Sequence, residues 1–209
     1  MKKFPINKAA RTVGIAFILS VILVTIVDDF LLANFAVPGD KEQLSHDIIT
    51  YPSLFYSAVV GYILVLILDA IISLALYIVL KPTNEKLARL TSVLRLTYVI
   101  ALLVGVVALA LKIIDVYDYS TIKLIGYVFF GLHILFLGYT VYKSDYLPKL
   151  IGVLLMVASL CYVVFFVDFN LSEPLLLSIM LLMAIAELSL SIWLIIKRNR
   201  ISSLIKSKI

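Results

Sequence analysis

The amino-acid sequence predicts an all-α fold: a polytopic integral membrane bundle of six transmembrane helices, with both termini on the cytoplasmic side of the cell membrane. Three observations predict it. Of the 209 residues, 63% are apolar and only 15% charged, with a mean hydropathy of +1.13, whereas a soluble domain is nearer half apolar and a quarter charged. The apolar residues fall into six runs, each long enough to cross a hydrocarbon core, which takes roughly 20 residues. The charges collect between those runs, basic at one set of connections and acidic at the other. A net charge of +5 spread in this way orients a membrane protein; it does not make a nucleic-acid surface.

The spans are helices because open strands cannot satisfy their backbone groups in lipid. The first is predicted over residues 12–35, with Asp28 and Asp29 in its outer third. Lys2, Lys3, Lys8 and Arg11 precede it as in a signal peptide, but no small-x-small cleavage site follows, so an uncleaved first helix is expected. The second span covers residues 54–80 and stops at Lys81-Pro82, because proline cannot continue a helix. The third covers 90–111 and the fourth 122–142. The fifth, 148–167, opens on Pro148, which suits a first helical turn. The sixth covers 174–196 and is followed by a basic cytoplasmic tail, 197–209, that can lie on an anionic leaflet or simply stop transfer. These spans consume nearly the whole chain as one domain. Cys161, the only cysteine, cannot form an intrachain disulfide.

Orientation follows from the connections. With both termini inside, the inner side holds fourteen lysines and arginines, among them Lys81, Lys86, Arg89, Lys143 and Lys149. The outer side holds three, Lys41, Lys112 and Lys123. That bias fixes topology by the positive-inside rule. The longest connection, 36–53, is then outside; it carries the turn signal Pro38-Gly39-Asp40 and His46, read as solvated.

Four ionisable residues lie inside spans: Asp69, Arg95, His133 and Glu187. Each costs on the order of 2.5–3.5 kcal/mol at a helix centre if unpaired, so each is expected to face the bundle interior. At 1.5 Å rise per residue, Asp69, His133 and Glu187 sit about 15–16 Å from their inner helix ends and Arg95 about 8 Å, its long side chain reaching further. One polar layer is predicted, in which Arg95 pairs with Asp69 or Glu187 and His133 bonds the remaining carboxylate. Three readings compete: an ion network that only fixes helix packing, a binding or translocation site with a titrating proton relay, and an intramembrane catalytic or metal site. No metal site and no cofactor is expected, since Arg95 would repel a cation and no His-x-x-x-His or Cys-x-x-Cys spacing occurs. Ser73, four residues after Asp69, and Ser189 are weaker nucleophile candidates, because serines in membrane helices commonly bond backbone.

Other features are expected to be structural. Asp28, Asp29 and Asp115, with Tyr117 and Tyr119, read as a solvated interfacial belt or, more sharply, as a cation-attracting vestibule. Gly105, Gly126, Gly131, Gly138 and Gly152 read as points of close helix approach. Asp69, His133 and Glu187 each precede a span-ending lysine by ten to twelve residues; this spacing fits either a relic of a repeated hairpin or chance.

The stretch from Gly131-Leu132-His133 to Gly138-Tyr139, followed by Val141-Tyr142-Lys143-Ser144 and Leu147-Pro148-Lys149-Leu150-Ile151-Gly152, resembles the signature of domain-of-unknown-function family 4386. Val37-Pro38-Gly39-Asp40, the Asp69 and Glu187 helices and the segment around Leu94-Arg95-Leu96 are also similar, so the resemblance covers nearly the whole chain. Its most specific part joins the fourth and fifth spans. The resemblance implies a six-helix prokaryotic membrane protein of unestablished activity, with polar residues at Asp69, Arg95, His133 and Glu187.

The best functional expectation is small-molecule or proton-linked binding and transport centred on Asp69, Arg95, His133 and Glu187. The rival is a non-enzymatic scaffold or partner subunit; an intramembrane enzyme ranks last. The expected partners are the lipid bilayer and a small-molecule ligand, with no nucleic acid.

Overall fold

A computed structural model describes residues 4–32, 50–167 and 171–206. Among them the secondary structure is entirely helical: α1 (Ile6–Thr25), α2 (Pro52–Leu80), α3 (Glu85–Ala110), α4 (Val116–Lys143), α5 (Lys149–Val167) and α6 (Glu173–Lys206). A π-helical turn, Ile26–Leu31, prolongs α1. Five of the six helices are long and apolar enough to cross a membrane, α5 being the shorter one. Most of the connection 36–53, with Pro38-Gly39-Asp40, Lys41 and His46, lies outside the described residues, as do Lys2, Lys3, Asp168 and Lys208.

Local chemistry sets the ends. Pro52 opens α2, where a missing N–H costs nothing. The Asn84 side chain accepts from the Leu87 N–H and starts α3. Asp115 and Asp118 form a reciprocal capping box at the start of α4. Asp115 and Asp118 thus have backbone partners in addition to any solvation. At one end or both, α1, α3, α4 and α6 run past the predicted spans by a turn or more, because a helix continues into the interfacial region until a cap or proline ends it, whereas α2 and α5 keep close to theirs. Residues 197–206 of the expected cytoplasmic tail continue α6 as helix, and Ile201 in them is completely buried.

Each helix packs on its chain neighbours, and α6 closes the ring against α1. Neighbours are antiparallel, as short connections require. Ser20 of α1 and Val27 of the π-helical turn meet Asp69 and Gly61 of α2, so one helix rises as the other descends. Ser73 and Ser92 donate reciprocally to each other's carbonyl oxygens at 2.9 Å and lock α2 to α3. Backbones approach closely between α4 and α5, where a Cβ on Gly152 would lie 2.6 Å from the Tyr142 nitrogen and 2.7 Å from the Gly138 oxygen, and between α1 and α6, where one on Gly14 would lie 2.5 Å from the Ser191 oxygen. One end of the ring therefore carries the chain's first helix start, the connections 81–84 and 144–148 and the end of α6; we call it the terminal end and the other the distal end.

Candidate functional site

The second, fourth and sixth helices alternate around the ring, which turns Asp69, His133 and Glu187 toward its centre, where Arg95 joins them from α3. All four are buried: Asp69 4% exposed, Arg95 1%, His133 0% and Glu187 8%. The ring brings three of them into one chain of bonds. Arg95 donates through one terminal nitrogen to Asp69 Oδ1 at 2.5 Å and through the other meets His133 Nε2 at 3.2 Å. His133 Nδ1 lies 2.8 Å from the Thr91 carbonyl oxygen. A carbonyl can only accept, so Nδ1 carries the hydrogen and Nε2 is the lone pair that receives Arg95. Both nitrogens of a neutral imidazole are thereby occupied. The Arg95 guanidinium also lies 5.0 Å from the Phe130 ring centroid and 5.8 Å from that of Phe17, contacts that favour a desolvated cation.

The expected bond from His133 to the remaining carboxylate does not form; His133 binds Arg95 and Thr91 instead. Glu187 accepts a hydrogen bond from the Tyr162 hydroxyl at 2.8 Å. Among the described residues no cation comes within ion-pair distance of it. Tyr162 was not singled out from the sequence. Its signal is its depth: a tyrosine inside a span needs a partner for its hydroxyl, and on α5 it lies at the level of Glu187 on α6.

Asp69, Arg95 and Glu187 form the floor of a cavity of about 310 Å³, to which all six helices contribute. Phe17, Ser20, Val21 and Val24 come from α1, Val65 and Asp69 from α2, and Arg95 and Tyr98 from α3. Tyr127 and Phe130 come from α4, Tyr162 from α5, and Met180, Met183, Ala184 and Glu187 from α6. Tyr98, Phe130, Tyr162 and Tyr127 make a continuous aromatic wall, with centroid separations of 4.8, 5.3 and 6.1 Å. Every lining residue lies at the level of the polar layer or on its distal side. On the terminal side, Ile72, Leu76, Ile134, Leu137, Leu155 and Leu190 leave a space of only about 10 Å³, room for about one water.

The serine candidates spend their hydroxyls on backbone. Ser73 donates to Ser92 O and Ser189 to Ala186 O. No three His, Cys, Asp or Glu side chains converge as a ligand set among the described residues.

A second polar cluster lies toward the distal end. Asp28, carried by the π-helical turn, pairs with Lys123 of α4 at 3.0 Å and accepts a hydrogen bond from Tyr62. Lys123 also donates to the Tyr62 oxygen at 3.3 Å. Asp28 is therefore a paired, three-quarters-buried carboxylate, whereas Asp29 is exposed as a belt residue would be. The cue in the sequence is Lys123, a cation inside a span on the otherwise acidic side.

The fold and site define a multi-pass helical membrane protein with a central, polar-floored cavity. The chain belongs to the family described as Domain of unknown function (DUF4386), whose profile matches residues 12–114 and 107–197. It is 32% identical over 157 residues to an uncharacterized protein of Archaeoglobus fulgidus, a match covering 72% of this chain and 89% of that one. No solved structure matches it.

Proposed function

We propose that the protein binds a small molecule in the central cavity and moves it, linked to a proton, across the cytoplasmic membrane, with both termini in the cytoplasm. The observation that carries the proposal is a buried carboxylate, Glu187, with no cation partner among the described residues and facing open space. Asp69, Arg95 and His133 bond to one another, so their work is to hold α2, α3 and α4 in register, and Asp69 and Arg95 also floor the cavity. Glu187 is the group left to exchange a proton for a ligand. The other ionisable side chains it meets at the cavity are Asp69, Arg95, Tyr98, Tyr127 and Tyr162. The concentration of lysine and arginine at the terminal end supports the orientation.

The single native cysteine makes a direct test simple. In a Cys161→Ser background, Ala184→Cys puts a thiol on the cavity wall and Leu190→Cys puts one in the apolar plug. A membrane-impermeant thiol reagent is expected to label Ala184→Cys from outside intact cells, and Leu190→Cys more slowly from the cytoplasmic side of inverted vesicles. If neither thiol reacts from either side, the bundle is a static scaffold and the proposal is wrong.

A further inference from the structure

The chemistry of the cavity narrows the class of ligand. Its lining carries the carboxyl groups of Asp69 and Glu187 and the guanidinium of Arg95, one basic group against two acids. Arg95 is committed: one terminal nitrogen on Asp69, the other on His133, and its guanidinium against Phe17 and Phe130. Two of its five N–H hydrogens are bonded, and its Nε has no acceptor in the protein; an anion drawn to the remaining hydrogens would also meet the two carboxylates. An anionic ligand is thus disfavoured by the same layer that first suggests one. What the cavity lacks is a positive charge.

The walls favour one kind of cation. Tyr98, Tyr127, Phe130 and Tyr162 present aromatic surface above Glu187, and Met180 and Met183 complete the apolar side. Aromatic faces attract a diffuse organic ammonium at little desolvation cost. A small inorganic ion would instead demand a shell of oxygen ligands, which two carboxyl groups, one of them paired with Arg95, and a few hydroxyls do not provide. Met180 lines the cavity and is also 54% exposed, next to Leu177 and Leu181, which are exposed apolar residues of the same helix. The cavity therefore reaches the apolar surface of the bundle beside α6, where a lipophilic molecule can arrive from the bilayer.

From this we infer that the ligand is a lipophilic organic monocation, an amine or quaternary ammonium with an apolar body, whose charge sits on Glu187 inside the aromatic wall. The inference rests on the cavity being an accessible binding site, as proposed above. Its test is equilibrium binding to the purified full chain of three probes of similar size: benzyltrimethylammonium, benzyl alcohol and benzenesulfonate. The cation is expected to bind at least about tenfold more tightly than either of the others and to slow labelling of Ala184→Cys. Glu187→Gln is expected to erase the preference while leaving the thermal unfolding midpoint within a few degrees. Should Glu187→Gln fail to fold, Ala184→Phe, which fills the cavity and leaves the carboxylate, is expected to abolish cation binding. Equal or tighter binding of benzenesulfonate or benzyl alcohol, or no binding of the cation, overturns the inference when Ala184→Cys still labels. Retention of cation binding in Glu187→Gln or Ala184→Phe overturns it as well. If Ala184→Cys does not label, the underlying reading of the cavity falls, and the inference with it.

Discussion

On the terminal side of the Asp69–Arg95 pair, Ile72, Leu76, Ile134, Leu137, Leu155 and Leu190 leave space for about one water. On the distal side the same six helices line about 310 Å³ among tyrosines, methionines and a carboxyl group, Glu187, that has no cation partner among the described residues. Chain and solvent are the same for both halves, so the difference lies in the residues chosen. The terminal half uses glycine and branched aliphatics to bring backbones together, as at Gly138 and Gly152. The distal half uses large aromatics that pack against one another at tilted angles and hold a space open. A dry void of that size in a soluble core would cost on the order of several kcal/mol. A bundle that packs one half this well has the means to pack the other, so the open half is read as the working half.

The sharpest way to break this comparison is at the boundary layer. Arg95→Met removes the cation from a buried pair and leaves Asp69 charged beside an undonated His133. Breaking such a pair from one side costs about 3–5 kcal/mol. The Arg95→Met protein is expected to lose most of its folded yield in detergent, read by size-exclusion profile and thermal unfolding. Replacing both partners, Asp69→Leu with Arg95→Met, is expected to recover much of that loss, because no uncompensated charge remains. If the double variant is as unstable as the single one, the pair does more than neutralise itself. The same double substitution leaves Glu187 in place, so a folded double variant that still binds a cation would show that the floor and the binding carboxylate are separable.

The two halves are also expected to answer added volume with opposite signs. In the terminal half, Gly152→Ala drives a Cβ to 2.6 Å from the Tyr142 nitrogen. Backbone cannot rotate away as a flexible side chain does, so a cost of about 1–3 kcal/mol is expected. In the distal half, Ala184→Leu grows into open cavity and is expected to leave the unfolding midpoint unchanged or raise it. Thermal unfolding of both in one detergent checks the contrast. A destabilised Ala184→Leu would mean that the distal half is as tightly packed as the terminal half.

How much of this could be read beforehand depends on which coordinate a residue's role uses. Depth is a count along a helix at a fixed rise, so the common level of Asp69, His133 and Glu187 was legible. Rotation about the bundle is set by how all six helices pack, and local sequence does not carry it. For that reason Arg95 could be given to Asp69 or Glu187 with equal justice, and His133 was assigned a carboxylate when it takes a guanidinium and a carbonyl. Tyr162 escaped notice because a tyrosine in an apolar run looks like bulk until its hydroxyl is asked for a partner. Asp28 was read as solvated because its pairing depends on a π-helical turn, an extra residue per turn that rotates a side chain off the helical register. The start of α2 at Pro52 and the end at Leu80 were closer to expectation because proline acts locally.

That turn supplies the smallest and most specific of the expected effects. The Asp28–Lys123 pair has a quarter or so of each side chain exposed, so solvent screens it and it contributes about 1 kcal/mol or less. Lys123→Met is therefore expected to lower thermal stability only slightly, far less than Arg95→Met, and to do so less in high salt than in low. Its value lies in position. Lys123 reaches α1 through the π-helical turn and α2 through Tyr62, so it ties the distal ends of three helices that also line the cavity. If the open half is the working half, loosening that tie is expected to speed thiol labelling of Ala184→Cys several-fold while leaving Leu190→Cys unaffected. Equal acceleration at both positions would mean that the substitution loosens the whole bundle, and the division into a packed half and an open half would lose its dynamic content.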